Sequence, residues 1–368
     1  MRMVKLNGKM RKARIIIGAN YGDEGKGTVV AHYTKHTEGE VLNVLTNGGA
    51  QRGHSILTED GSMTFHHFGS GTYHGADNYY SRYFILNPMQ FVKEYNELLI
   101  KPKHVYRDRN CWWSTPYDSM ANMISEQLQG RHASCGMGIW NTIKRWNILP
   151  GYIFDEFLKL DKPEVYLNSV KEYYEKELTI PENFIDIWNS PILQQHFIND
   201  CRFMADYTIP VWNLAETPHE NLIFENGQGL LLCDTGEDRY DTTPSNTGIL
   251  YALNMVNVDL YGEDVDITAH YVTRPYLTRH GDGIITNAED RKIISNGVQE
   301  DRTNKWNDFQ GEFRYGLLDI DDLKKRVYKD SRFKKYEIEL THCDEMDREA
   351  EFKQKFEKVN TYDSPLIK

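Results

Sequence analysis

The chain has 368 residues, a formal net charge of −11, and five cysteines at 111, 135, 201, 233 and 343 with no paired spacing. Its length suits one large or two ordinary domains with a full core. The acidic balance argues against a broad nucleic-acid-binding surface, and the unpaired thiols suit a reducing, cytoplasmic compartment. No CxxC or HExxH metal signature occurs, and no apolar run approaches the roughly 20 residues of a membrane span. Residues 1–13 are basic without an apolar stretch, so they read as a flexible lead-in rather than a signal peptide. Arg14–Gly18 reads as a buried strand, followed by a glycine-rich turn and a helix through Val29–Thr34. Val41–Leu45 is a second apolar strand and runs straight into Asn47-Gly-Gly-Ala-Gln-Arg-Gly-His54. Pro88–Leu99 reads as a helix, and Val105–Pro116 as an aromatic-rich loop in which Trp112 and Trp113 are core residues. Within 151–206, Tyr166, Val170 and Tyr173 keep helical spacing, as do Phe184 and Trp188, which predicts two or three amphipathic helices. Asn221–Phe224, Val265–Val272 and Tyr336–Leu340 read as further strands. Residues 345–368 are charged and read as a surface helix with a tail.

Strand followed by glycine-rich loop, repeated, predicts an α/β fold: a P-loop-like nucleotide-binding domain with a central, mostly parallel sheet, flanking helices and a helical insertion. One continuous domain over 14–344 accommodates all of these elements. The loops carry the chemistry. In Gly22-Asp-Glu-Gly-Lys-Gly27, three glycines let backbone amides curl around an anion while Lys26 adds positive charge. This is not a Walker A loop, which needs Gly, four residues, then Gly-Lys-Ser/Thr. Asp23 is the unusual member. A carboxylate in a phosphate cradle repels the ligand unless it binds Mg²⁺ or takes a proton from the substrate. Further polar loops supply His54, Ser134-Cys-Gly-Met-Gly-Ile139, Gln228, Ser245-Asn-Thr-Gly248, Arg279 and Arg314.

These motifs, in this order, resemble the adenylosuccinate synthetases, ligases that join aspartate to C6 of a purine nucleotide at the expense of a nucleoside triphosphate. Gly22–Gly27 matches the family hallmark in full. Gly48-Gly-Ala-Gln-Arg-Gly-His54 is similar to Gly-Gly-His-Asn-Ala-Gly-His only at its ends. Ser134–Ile139 is similar to Ser-Thr-Gly-Arg-Gly-Ile, with Cys135 in place of Thr. Asn226-Gly-Gln-Gly229 is similar to Gly-Ala-Gln-Gly, and Thr341-His-Cys-Asp344 to Thr-Lys-Leu-Asp. The chain is shorter than the housekeeping enzymes. Trp306–Gly316 replaces their Arg-rich aspartate loop, and His342 stands where the guanine-reading motif has Lys. This compact form resembles an archaeal and bacteriophage branch. That branch includes enzymes that use dGMP to make a diaminopurine precursor for phage DNA. Some phage members replace the loop Asp; this chain keeps Asp23.

The resemblance implies roles. Asp23 is the base for the purine N1 proton, His54 the donor to the transferring phosphoryl group, and Gln228 the contact to the purine oxygen. Gly22, Glu24, Gly25, Lys26, Gly27 and Asp344 bind the triphosphate. Asn47, Ser134, Cys135, Gly136, Thr243, Asn246 and Thr247 surround the monophosphate. Arg314, with Thr278 and Arg279, grips substrate carboxylates. Arg145 either reaches a partner subunit's phosphate site or forms an ordinary salt bridge. Asp344 either reads a guanine edge or caps a helix. Mg²⁺ is held by Asp23 and the Gly53 carbonyl. The expected partners are a purine monophosphate, a triphosphate (ATP, dATP or GTP), L-aspartate and a second copy of the chain, in the cytoplasm (the host's, if the chain is phage-encoded). The acceptor expected is dGMP, with IMP as the alternative. Asp23 can meet both N1–H and a 2-amino group with its two oxygens. A P-loop GTPase without ligase activity is the rival of another class.

Overall fold

Ile15-Ile-Ile17, Val41-Leu42 and Leu222-Ile-Phe224 show no polar alternation, the pattern of strands covered on both faces. The structure is a computed structural model that describes residues 10–58, 61–130, 134–149, 151–234, 242–298, 311–332 and 334–364. Its strands are β1 (Arg11–Gly18), β2 (Val41–Leu45), β3 (His54–Thr58), β4 (Gly61–Phe65), β5 (Asp77–Tyr80), β6 (Val105–Asp108) and β7 (Ile209–Val211). There follow β8 (Asn221–Gly229), β9 (Val265–Thr273), β10 (Leu277–His280), β11 (Phe313–Gly316), β12 (Tyr336–Leu340) and β13 (Val359–Thr361). Nine of them form one sheet in the order β13-β12-β9-β1-β8-β2-β5-β6-β7, and every pairing in it is parallel. The remaining four make two antiparallel pairs, β3 with β4 and β10 with β11.

The helices are α1 (Lys26–His36), α2 (Pro88–Glu97), α3 (Pro116–Gln129), α4 (Ile139–Ile148), α5 (Phe154–Phe157) and α6 (Pro163–Glu177). They continue with α7 (Glu182–Trp188), α8 (Pro191–Asp206), α9 (Leu250–Asp259), α10 (Arg291–Ile294), α11 (Ile320–Ser331) and α12 (Glu349–Lys355). Val29 and Val30 of α1 cover one sheet face against Ile16, Ile223 and Val272. Val256 of α9, Val327 of α11 and Phe352 of α12 cover the other against Ile15, Ile17 and Phe224. Each fully buried side chain of this size contributes about 1.5–3 kcal/mol. A third core gathers α2, α3 and α5–α8 around Trp113, with Phe91, Tyr117, Phe157, Trp188 and Phe197. The mostly parallel α/β architecture expected from sequence is therefore present. No helix among the described residues is long and apolar enough to cross a membrane.

Four local expectations change. The first strand begins at Arg11, inside the 1–13 stretch read as a flexible lead-in, with Arg11–Ala13 paired to β9. Residues 105–108 are not loop but strand β6, between β5 and β7. The charges of Arg107 and Asp108 mask it in sequence, and burial is possible because Arg107 donates to Thr208 Oγ1 at 3.0 Å and pairs with Asp155. Residues 151–206 hold four helices rather than two or three. The segment after 345 does contain a helix, α12, but Val359–Thr361 then returns to the sheet edge beside β12.

Candidate nucleotide and carboxylate site

In a parallel sheet the loops after the strands gather at one edge, where ligands bind. The first of them leaves β1 at Gly18, where there is no room for a side chain. A Cβ there would lie 2.5 Å from Glu24 Oε2, 2.6 Å from the Gln228 carbonyl and 3.1 Å from Lys26 Nζ. Gly25 caps α1 in the left-handed region, φ 90°, which glycine adopts without steric cost. Lys26 is buried, donates to the Gly22 carbonyl at 2.6 Å and lies 3.6 Å from Glu24 Oε2. Glu24 Oε1 accepts the amides of Asn20 (3.0 Å) and Gly22 (2.7 Å). Burial raises its carboxyl above the ordinary range, with Lys26 opposing. The Glu24 carboxylate therefore shapes the loop from within. Asp23 stays half-buried at the loop tip, its carbonyl fixed by Arg274 Nε at 2.6 Å. Gly27 lets α1 approach β3: a Cβ there would meet the Ser55 carbonyl at 2.7 Å.

The second loop delivers His54 at the start of β3, buried, with Nδ1 2.5 Å from Glu225 Oε1. Glu225, on β8, also accepts Ser70 Oγ (2.6 Å) and the Ser70 amide (3.0 Å), and lies 3.8 Å from Arg52 Nη2. Arg52, His54 and Ser70 hold its carboxyl down at about 2 against the opposing effect of burial. Burial brings the His54 imidazole down to about 4, with Lys26 and Arg52 pushing the same way. Burial thus favours the neutral imidazole, whose Nδ1 faces Glu225. Gly53 beside it is exposed. The sequence reading missed Glu225, Arg52 and Ser70. A Glu following Ile223-Phe224 inside a doubly covered strand was the available signal.

Asparagines, Asn47 and Asn226 of them buried, tie the other loops in place. Asn47 Oδ1 accepts the Gly227 amide at 2.8 Å while Nδ2 donates to Ser245 Oγ at 3.1 Å. Asn122 Nδ2 donates to Ser134 Oγ at 2.9 Å, and its Oδ1 accepts the Gly138 amide at 3.1 Å. The Gly136 amide closes the same turn on Ser134 Oγ at 3.3 Å. Asn226 Nδ2 donates to the carbonyls of Thr247 (3.0 Å) and Gly248 (2.7 Å). Thr247 Oγ1 donates to the Gly229 carbonyl at 2.9 Å, the Thr243 amide to the Leu232 carbonyl at 2.8 Å, and Asn246 Nδ2 to Cys233 Sγ at 3.4 Å. Burial pushes the Cys135 thiol up to about 11, away from the thiolate form a nucleophile needs. Gln228 adopts φ 56°, sparsely populated for a side chain of its kind.

The β10–β11 ribbon sets Arg279 directly opposite Arg314. The Arg279 guanidinium carbon lies 4.9 Å from the Tyr21 ring centroid, and Tyr21 Oη accepts the Thr286 amide at 3.2 Å. The ribbon is thereby tied to the first loop. Arg314 Nη2 donates to the Gly283 carbonyl at 2.5 Å, and Thr278 is buried. Trp306–Gln310 lie outside the described residues.

Two further candidates, Arg145 and Asp344, find partners within the chain. Arg145 is fully buried against Asp118, at 2.8 Å from Nε and 2.9 Å from Nη2, and donates to Tyr166 Oη at 2.9 Å. It is the ordinary ion pair, not a reach to a partner subunit. Asp344 is exposed, but its carboxylate already accepts the amide (2.6 Å) and hydroxyl (2.7 Å) of Ser364.

Comparison with known proteins agrees with this arrangement. The family model for adenylosuccinate synthetase matches residues 15–356. The chain is 27% identical to the adenylosuccinate synthetase of Syntrophotalea carbinolica over 277 residues, covering 71% of this chain and 62% of that protein. It is 26% identical to that of Clostridium botulinum, covering 74% and 64%. It thus spans less than two thirds of the length of these curated relatives. Among solved structures, fully ligated adenylosuccinate synthetase from Plasmodium falciparum superposes with a TM-score of 0.65 at 18% identity, covering 91% of this chain and 78% of the other. The cyanophage S-2L succinoaminodeoxyadenylate synthetase (PurZ), bound to dGMP and dATP as an energy donor, gives 0.61 at 12% identity, covering 97% and 94%. With the motif loops gathered at one sheet edge and the family model running through nearly all of them, the chain belongs to the adenylosuccinate synthetase family.

Proposed function

We propose that the chain is a purine nucleotide–aspartate ligase that takes dGMP, L-aspartate and an adenine nucleoside triphosphate to give 2-amino-2′-deoxy-N6-succinoadenylate. The observation that carries this reading is the joining of three features at one sheet edge: the Asp23 loop, the His54–Glu225 pair and the Arg279–Arg314 ribbon. A nucleotide switch needs the first alone. Asp23 removes the N1 proton, which makes O6 nucleophilic toward the γ-phosphorus. Lys26 and the loop amides balance charge on the transferring group. The negative charge of the bound triphosphate favours protonation of His54 Nε2, which then donates to the phosphoryl oxygen, while Glu225 holds the opposite nitrogen. The amine of aspartate attacks C6, the C6–O bond breaks, and phosphate leaves. Two arginines side by side repel one another; a dicarboxylate between them relieves that repulsion. The Asp23 carboxylate and the Gly53 carbonyl are hard oxygen donors of the kind Mg²⁺ takes alongside phosphate oxygens. Bound there, Mg²⁺ supplies charge neutralisation.

The occupation of Asp344 by Ser364, with His342 in place of the family's Lys, supports adenine over guanine in the donor. The near-complete mutual coverage with the cyanophage structure supports dGMP as acceptor. Retention of Asp23 favours the second reading, IMP giving adenylosuccinate. A product assay with aspartate and each of IMP, GMP and dGMP, with ATP, dATP and GTP in turn, separates the two. The expected product forms from dGMP with ATP or dATP, and triphosphate is consumed only when all three substrates are present. Hydrolysis without monophosphate and aspartate would overturn the ligase reading.

Arg314→Ala is expected to raise the KM for aspartate roughly ten- to hundredfold, the scale of one lost charge-assisted pair. Initial rates at varied aspartate check it. A collapse of nucleotide affinity with unchanged aspartate saturation would place Arg314 at a phosphate instead.

A further inference from the structure

His66 follows β4 and turns back toward the loop that precedes β3. The amides of His66 (2.9 Å), His67 (2.8 Å) and Phe68 (2.8 Å) all donate to the buried Glu94 carboxylate of α2, which fixes this turn to the body of the protein. His66 and Arg52 then bond reciprocally. His66 Nδ1 donates to the Arg52 carbonyl at 2.6 Å, and Arg52 Nε donates to the His66 carbonyl at 3.3 Å. A carbonyl can only accept, so this contact keeps the ring's proton on Nδ1. The Arg52 carbonyl shares its peptide group with the Gly53 amide. That peptide is trans, so carbonyl and N–H point in opposite directions. With the carbonyl held by His66, the Gly53 N–H is turned away from the ring, and it finds no acceptor among the described residues. Gly53 is exposed and His66 half-buried, so a ligand can reach this peptide. The phosphate loop lies beside it: a Cβ at Gly27, in the first turn of α1, would be 3.2 Å from the carbonyl carbon of His54.

Resting on the ligase reading, we infer that His66 is a positioning residue for phosphoryl transfer: it aims the Gly53 amide at the phosphates of a triphosphate bound on the Gly22–Gly27 loop. His66 itself touches no substrate. It acts through one backbone peptide, next to the residue that donates to the transferring group. Glycine alone leaves that peptide free to rotate. His66 supplies the fixed orientation that glycine cannot, so the N–H is in line before charge develops on the phosphoryl oxygens.

The test compares the full chain with two variants. His66→Phe keeps a ring and loses the donor; His66→Asn places an amide N–H where Nδ1 stood. Each is titrated with a non-hydrolysable triphosphate analogue and assayed for ligation. His66→Phe is expected to bind the analogue about tenfold more weakly. Its kcat is expected to fall roughly ten- to hundredfold, with the KM for aspartate and for dGMP within about twofold of wild type. His66→Asn is expected to return affinity and kcat to within about threefold of wild type. His66→Ala, with the same expectations as the Phe variant, serves if that variant does not fold. Wild-type affinity and kcat in a folded Phe or Ala variant overturn the inference. So does an Asn variant that folds but recovers nothing, or a loss spread evenly over all three substrates. The titration needs no chemistry, which keeps the two ideas apart. A wild type that binds the analogue without ligating refutes the ligase reading, and the loss in His66→Phe with recovery in His66→Asn then upholds His66. Ligation by wild type, with both variants unchanged, does the reverse.

Discussion

Replacing Asp23 by Asn is expected to abolish ligation, by roughly 10²-fold or more in kcat, while the protein folds and binds triphosphate as before. Asn has the shape of Asp and cannot take the N1 proton. The substitution leaves the loop intact because the loop does not hang on this side chain. Its shape comes from Glu24 on the Asn20 and Gly22 amides, from Lys26 on the Gly22 carbonyl, and from Arg274 on the Asp23 carbonyl. The check is single-turnover product formation alongside fluorescence titration with a triphosphate analogue. Turnover within a few-fold of wild type would remove Asp23 from the mechanism, and loss of triphosphate affinity alone would make it a binding residue.

Glu225→Gln is expected to cost about 3–5 kcal/mol of stability at pH 7, because it removes the nearest anion from the buried Arg52 charge and breaks the His54–Glu225–Ser70 cluster. It is also expected to lower kcat more than it raises any KM, since His54 loses the anion that favours its protonated form. The pH dependence follows from the two shifts. The folded Glu225 carboxyl, at about 2, lies below its unfolded value near 4.5, so its contribution is present above 4.5 and lost as pH falls toward 2. His54, at about 4 when folded, takes its proton first in the unfolded chain, so stability also falls as pH drops from 6.5 to 4. Wild type therefore begins to weaken near pH 6.5, and the gap between wild type and Glu225→Gln closes toward pH 2. Urea unfolding at pH 7, 5 and 3 measures both effects. Equal stability of the two proteins at pH 7 would mean that Glu225 does not hold this cluster together.

What could be read from the sequence was local. Gly22–Gly27 and Asn47–His54 announce themselves because a glycine-rich turn after an apolar run has few other uses. The strands at 41–45 and 336–340 were legible for the same reason. Glu225 was not, because the partners that give it meaning lie 171 and 155 residues away. His66 carried no signal either, since its bond to the Arg52 carbonyl is a property of three-dimensional surroundings. Arg145 illustrates the converse. A lone Arg after a phosphate-like turn invites a ligand, yet Asp118, which also caps α3 through Thr115, already takes it. Asp344 accepts from Ser364, a residue in a tail with no distinguishing pattern, and the sequence did not announce that contact.

The three asparagines that hold these turns have a kinetic consequence. Asn47, Asn122 and Asn226 fix Gly227, Gly138 and the 247–248 turn through the folded chain itself. The ordering entropy of these loops is therefore spent when the protein folds, and little remains to be lost when a nucleotide arrives. The Gly227 and Gly138 amide protons, each held by an asparagine oxygen, should exchange slowly with heavy water in the empty protein. Nucleotide should slow them only slightly further, as in a rigid receptor entered at encounter-limited rates rather than one that must first assemble around its guest.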